Sequence, residues 1–366
     1  MREGWIYKKL GEVYEVLDSL RKPVTKKDRV TGIYPYYGAS GVQDYVDSYI
    51  FDGRFLLVGE DGAKWGASDK TAFIIEGKSW VNNHAHILKV SEEVNDRLIE
   101  YYLTFKDLSE YITGTIVPKL TQANLIKIPI PVPPLPEQER IVSELDLLSS
   151  IIEKKKEQLK ELDLLAQSIF YDMFGDPVEN PKGWEVKKLG EIGTIVAGST
   201  PSTNDEFNWD GDVNWVTPAE LGEQLYYGET ERKLTEKGAK GLTIMPVGTV
   251  LLSSRAPIGK LAITTEPMCC NQGFKNVICG KNLNNIFLYF FLKQTMDLVQ
   301  ALGRGATFKE VSKSAISSYK IPLPPLSLQQ SFAEKIEAIE KQKEQIKQSI
   351  KEVETLFNSR MDYYFN

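Results

Sequence analysis

Between residues 137 and 174, apolar or small side chains recur at Ile141, Leu145, Leu148, Ile152, Leu159, Leu162, Ala166, Ile169 and Met173, in steps that alternate four and three. This heptad stripe predicts one long helix that buries the stripe against another helix, interrupted only where Lys155 falls on the seam. The same register returns 191 residues later at Phe332, Ile336, Ile339, Lys343, Ile350, Val353, Phe357, Arg360 and Tyr364, with Ile346 at the position of Lys155. A single stripe would suit a dimerisation coil or an ordinary core helix, whereas two copies in one chain favour an intramolecular pair. About 38 residues at 1.5 Å each make a rod of roughly 57 Å. That exceeds what a compact domain needs for its own core, so the helices read as a spacer.

Other segments repeat as well. Trp5-Ile-Tyr-Lys-Lys-Leu-Gly-Glu12 returns as Trp184-Glu-Val-Lys-Lys-Leu-Gly-Glu191, and Ile130-Pro-Val-Pro-Pro-Leu135 returns as Ile321-Pro-Leu-Pro-Pro-Leu326. Proline at these places stops a strand and pre-sets the first helical turn. The offset between copies grows from 179 at the start motif to 189 at Asn82 and Asn271, and to 191 from Gly114 and Gly305 onward. A constant frame therefore carries two bodies that have drifted in length and side chains. The predicted organisation is a first module over 1–135, a helix over 136–175, a Gly/Pro linker over 176–183, a second module over 184–326 and a second helix over 327–366.

Within the first module, Phe55–Val58, Ala72–Ile75 and His86–Val90 read as strands and Asn95–Phe105 as a helix. In the second, Thr249–Leu252, Lys260–Thr264 and Asn276–Cys279 read as strands and Asn285–Leu302 as a helix. Each module is thus α+β. With 42% hydrophobic residues among 366, both can build real cores. Three cysteines, two of them adjacent, supply neither a disulfide framework nor a metal-ligand cluster and suit a reducing cytoplasm. The absence of an apolar leader or membrane-length run adds the expectation of a cytoplasmic protein with no membrane partner.

The common catalytic patterns are missing: no phosphate-cradling Gly-x-x-x-x-Gly-Lys-Ser/Thr, and no Asn-Pro-Pro-aromatic of the kind used by amino-group DNA methyltransferases. His84 and His86 alternate as if on one face of a strand but lack a third ligand, so no metal site and no catalytic residue is assigned.

Binding loops are better supported. Tyr34-Pro-Tyr-Tyr-Gly-Ala-Ser-Gly41 reads as a loop that mixes aromatics, among them Tyr36 and Tyr37, with glycine. Gly59–Gly66 carries Glu60, Asp61, Lys64 and Trp65. Its counterpart Ser253–Lys260 carries Ser253, Ser254, Arg255 and Lys260. Arg and Lys donate to guanine edges or phosphates and carboxylates accept from cytosine, so such loops can read different base sequences. The alternative is that they are two ordinary hairpin turns. Basic groups at Arg21, Lys22, Lys26, Lys27 and Arg29, and at Lys119, Arg304 and Lys309, add candidate phosphate contacts. A formal charge of −6 counts against nucleic-acid binding in the simplest electrostatic reading.

Together the start motif, the Ile-Pro-x-Pro-Pro-Leu lead into a long helix, Val58–Gly66 with Val81-Asn-Asn-His-Ala-His86, and Asn214-Trp-Val-Thr-Pro218 with Ser254–Gly259 and Asn271-Gln-Gly-Phe-Lys275 resemble the specificity (S) subunits of type I restriction-modification systems. The resemblance covers essentially the whole chain. It implies two tandem target-recognition domains joined by an antiparallel coiled coil with pseudo-two-fold symmetry, each domain binding half of a split, asymmetric double-stranded DNA target. It implies a non-catalytic reader that assembles with two modification (methyltransferase) subunits and with restriction (translocase/nuclease) subunits. S-adenosylmethionine, ATP and Mg would then reside on those partners, with no cofactor in this chain. The partners would also contribute phosphate contacts, which eases the charge objection. The competing classes are an enzyme that acts on DNA alone and a coiled-coil scaffold whose modules bind proteins.

Overall fold

The structure is a computed structural model that describes residues 4–89, 93–255, 257–304 and 309–366. Val90, Ala256 and Gly305, which enter the expectations above, lie outside the described residues. The chain divides into two compact units, Met1–Lys156 with Gln348–Asn366, and Glu157–Lys347. Both expected spacer helices form, Leu135–Phe174 and Leu326–Phe365, each of 40 residues. Each unit thus contains one module and one half of either helix.

In the first unit the early part of one helix packs on the late part of the other, so the pair is antiparallel. Ile141, Leu145, Met361 and Tyr364 are buried there together with the module's Leu10, Leu98 and Ile130. Glu144 accepts from Arg360 (Nη2 to Oε2, 3.0 Å) and from the Tyr364 hydroxyl at 2.5 Å, and Lys156 Nζ donates to Glu354 at 2.8 Å. In the second unit Phe170 and Phe174 meet Phe332 with ring centroids 5.6 and 5.2 Å apart, and Phe174 meets Phe287 at 4.8 Å. Lys343, a cation on the predicted stripe, is neutralised by Asp163 and Glu340 at 2.8 and 2.7 Å. Phe170, Phe174 and Phe365 are buried although they lie off the predicted stripe. Near their ends the helices bury two faces, one against the helix partner and one against a module, and a single stripe describes only the first.

The repeated motifs pair with each other. Ile6–Lys9 runs antiparallel to Pro129–Val132, and Glu185–Lys188 to Lys320–Leu323, with Tyr7 opposite Pro131 and Val186 opposite Pro322. A two-stranded ribbon leaves each strand an outer edge, where the missing proline N–H costs nothing. A second tie is internal to each unit. Gln138, with no exposed surface, accepts from the Asn95 N–H at 2.6 Å and donates to the carbonyls of Pro133 (2.7 Å) and Glu93 (3.3 Å). Gln329 repeats this with Asn284 (2.8 Å), Pro324 (2.8 Å) and Asn282 (3.2 Å). Asn95 and Asn284 are in turn the N-caps of the module helices Asp96–Phe105 and Asn285–Gln294.

The first module holds a six-stranded sheet in the order Glu15–Val16, Ala85–Lys89, Phe51–Gly59, Ala72–Val81, Thr31–Gly38, Gly41–Val46. Tyr34 to Gly38 therefore lie in a strand and not in the expected loop; Tyr36 and Tyr37 pair in parallel with Trp80 and Val81. The second module splits the equivalent strands between a five-stranded and a three-stranded sheet, in which Trp209–Val216 pairs in parallel with Met268–Cys270. The helix expected over 285–302 breaks at Thr295, whose hydroxyl bonds the Phe291 carbonyl at 2.9 Å, and resumes as Met296–Ala301. The linker is pinned. Gly175 ends the first long helix at φ +79°, where an added Cβ would meet Pro181 at 2.8 Å, and the Trp184 indole donates to the Phe174 carbonyl at 3.0 Å. Among the described residues, no helix is long and apolar enough to cross a membrane.

Candidate nucleic-acid interface

The two candidate turns occupy the same backbone positions. In the first module the Glu60 N–H donates to the His84 carbonyl at 2.8 Å and the Glu60 carbonyl accepts from the Leu120 N–H at 2.8 Å. In the second, the Ser254 N–H donates to Gly273 at 2.7 Å and the Ser254 carbonyl accepts from Val311 at 3.0 Å. Asn82 and Asn271 close the same local turn, each side-chain oxygen accepting from the N–H two residues on at 2.8 Å. Backbone pairing thus equates Glu60 with Ser254, Asp61 with Arg255, and Lys119 with Glu310.

In the first module the side chains form a charge cluster. Buried Glu60 is bonded by Arg21 Nη1 and by Lys119 Nζ at 2.7 Å, while Arg21 Nη2 lies 3.2 Å from Asp18. His86 is wholly buried, its Nδ1 against Asp18 and its Nε2 2.7 Å from the Leu120 carbonyl. Asp61 holds His84 Nδ1 through Oδ1, with Oδ2 3.9 Å from Lys119 Nζ. The two histidines therefore do not share a direction, because His84 stands in the turn before the strand Ala85–Lys89. Asp18, Glu60 and His86 are close enough to hold a metal ion. Their carboxylates, however, already carry a guanidinium and an ammonium, which supply the charge a cation would bring.

In the second module the polarity changes. Lys275, nearly buried, donates to the Ser254 hydroxyl at 3.1 Å and to Glu310 Oε1 at 3.0 Å. Arg255 Nη1 lies 3.8 Å from Glu310 Oε2, which is charge contact without a hydrogen bond. Arg304 and Glu310 exchange backbone hydrogen bonds at 3.1 and 3.0 Å. A cleft of about 930 Å³ opens here, lined by Thr217, Arg255, Asn271, Gln300, Lys309 and Glu310 among others.

Several expected contact residues turn out to build the scaffold. Tyr36 is 1% exposed, its hydroxyl accepting from the Val24 N–H at 3.0 Å and its ring covered by the Arg29 guanidinium at 4.1 Å. Trp65 is buried and donates from Nε1 to the Gly59 carbonyl at 3.1 Å. Ser253 is wholly buried, and its hydroxyl accepts from the Gly259 and Lys260 amides at 3.1 and 2.8 Å, closing the turn. Lys260 Nζ donates to the Pro218 and Ala219 carbonyls at 2.8 and 3.3 Å. Ser254 is likewise buried, holding Lys275. Tyr37 is half-buried against Phe73, at 6.0 Å between centroids. Asp61, Lys119 and Arg255 are partly accessible, and Lys64, Arg304 and Lys309 are exposed. Glu310 and Asp18 were not singled out in the sequence, and Lys275 entered only as the end of the Asn271–Lys275 motif, although the offset of 191 already placed Glu310 opposite Lys119 in the repeat.

Two α+β modules with one backbone frame and unlike side chains at equivalent places, each closed by halves of the same two helices, define a duplicated recognition protein. The type I restriction modification DNA specificity domain matches twice, over residues 2–163 and 181–355, and the chain belongs to that family. A putative type I restriction enzyme specificity subunit of Haemophilus influenzae is 28% identical over 373 residues, covering 98% of this chain and 93% of its own length. A type I restriction enzyme specificity subunit of Methanocaldococcus jannaschii is 42% identical over 159 residues, covering 42% of this chain and 37% of that subunit. The fold is shared with the S subunit of the type I restriction-modification system of M. genitalium, at a TM-score of 0.64 and 13% identity over 98% of this chain and 95% of that one.

Proposed function

We propose that this chain is the DNA-reading subunit of a type I restriction-modification complex, binding a bipartite asymmetric target with one recognition module on each half. The observation that carries the reading is the conserved backbone frame around Glu60 and Ser254, which sets different side chains at the same place in two copies of a DNA specificity domain. A frame held constant while its accessible side chains vary is what a sequence reader needs. The chain itself performs no chemistry in this proposal. Two modification subunits bring S-adenosylmethionine, and restriction subunits bring ATP, Mg and the nuclease, all in the cytoplasm. Such partners also add phosphate contacts to those of a chain whose net charge is −6.

The test is to exchange residues 13–117 for the corresponding stretch of a related subunit and to map methylated sites in cells that express the complex. One half of the methylated sequence should change while the other stays. Change in both halves would refute independent modules, and methylation or cleavage by the purified chain alone would refute a non-catalytic reader.

A further inference from the structure

The accessible charge pair at the frame has opposite polarity in the two modules. In the first, the turn supplies the carboxylate, Asp61, and the facing strand the cation, Lys119, at 3.9 Å. In the second, the turn supplies the cation, Arg255, and the facing segment the carboxylate, Glu310, at 3.8 Å. The backbone pairing that equates the positions is the same in both. The surroundings follow suit. Asp18, Glu60 and Asp61 outnumber Arg21 and Lys119 around the first pair, whereas Lys275, Arg304 and Lys309 join Arg255 near Glu310.

We infer that the modules read opposite members of a G·C pair: Arg255 donates to a guanine in one half-site, and Asp61 accepts from the amino group of a cytosine in the other. This rests on the DNA-reading function proposed above. Among the described residues the Arg255 guanidinium makes no hydrogen bond, since its distance to Glu310 is too long for one. Its planar fork is therefore available for the O6 and N7 acceptors of guanine, the commonest specific arginine contact. Glu310 holds the guanidinium by charge from one side, and buried Lys275 fixes Glu310 at 3.0 Å; Glu310 is a positioning residue. In Asp61, Oδ1 is engaged by His84, while among the described residues Oδ2 makes no hydrogen bond and has the Lys119 ammonium beside it at 3.9 Å as charge contact, which leaves an acceptor for the cytosine N4 donor. A carboxylate at the first turn repels guanine's acceptors, and a guanidinium at the second repels an amino donor. Each turn thus rejects the base the other selects.

The full chain, assembled with its modification subunits, is used to select sites from a random duplex library and to measure binding to the selected site and its single-base variants. Arg255→Lys retains the charge but loses the fork. It should lower discrimination at one guanine roughly ten- to hundred-fold, with all other positions and the other half-site kept. Glu310→Gln should relax that same position by less. Asp61→Asn should relax one cytosine in the opposite half-site, with melting temperatures unchanged for Arg255→Lys and Asp61→Asn. An unaltered consensus in these variants, or relaxation in both half-sites from one substitution, overturns the inference and leaves the DNA-reading function intact. Failure of the wild-type complex to select any bipartite consensus overturns both.

Discussion

Replacing Gln329 with leucine should destabilise the second unit by about 2–4 kcal/mol. The side chain is fully buried and makes three hydrogen bonds, accepting from Asn284 N–H at 2.8 Å and donating to the carbonyls of Pro324 and Asn282 at 2.8 and 3.2 Å. Leucine has similar volume, so the cost is polar. It strands the part-buried amide of Asn284 at the N-cap of the helix Asn285–Gln294 and the buried Pro324 carbonyl, each at about 1–3 kcal/mol. The Asn282 carbonyl belongs to an exposed residue and regains water, while the new methyl groups return about 1 kcal/mol. At about 2–4 °C per kcal/mol for a unit of 150–250 residues, the melting temperature should fall by roughly 5–15 °C. Circular dichroism measures the fall, and hydrogen exchange over residues 285–294 locates it. A fall below about 1 °C with unchanged exchange would refute the view that this glutamine locks the long helix to its module. Gln138→Leu should act likewise on residues 96–105.

Arg360→Gln removes the main partner of Glu144, whose carboxyl is held below the ordinary glutamate range first by the Arg360 hydrogen bond. The stabilisation, about 1 kcal/mol or less for a half-exposed pair, is present above the unfolded value near pH 4.3 and is lost as pH falls through the lower folded value. Wild-type and variant melting temperatures should therefore converge on acidification, and a gap that persists in acid would contradict the assignment. Lys260→Met should weaken the turn that its ammonium holds to the Pro218 and Ala219 carbonyls, without changing the ratio of cognate to scrambled DNA binding; a changed ratio would restore Lys260 as a base reader. Cys269 and Cys270, both buried, should resist alkylation near pH 8, because burial pushes their thiols up to about 11 and about 12. Prompt labelling of either in the native chain, compared with the denatured one, would show the thiols to be accessible.

The duplication, the two long helices and the α+β class were legible in the residues because each leaves a local mark. A heptad stripe needs only a period, and a repeat needs only an offset. Three strands in each module were found where apolar runs lie between turn residues; Gly193–Ala197, Trp209–Val216 and Met268–Cys270 were not, and Thr31–Gly38 was missed because Tyr34–Gly41, with its glycines, proline and three tyrosines, read as a loop. Pairing on both sides, with Gly41–Val46 and with Ala72–Val81, makes Thr31–Gly38 a strand. The site was legible by place and not by role. Trp65, Tyr36 and Ser253 have the chemistry of contact residues, and their sequence neighbourhood cannot reveal that Gly59, Val24 and the 257–260 turn already take up their polar atoms. Gln138 and Gln329 look like solvated helix positions, yet tertiary structure buries them between the long helix and a module, where an unpaired amide would be costly and a bonded one specifies the packing. The polarity of the charge pair needed both kinds of information. The residues and their offset stand in the sequence, but that Asp61 meets Lys119 and Arg255 meets Glu310 depends on backbone pairing across more than fifty residues of chain, which no local pattern encodes.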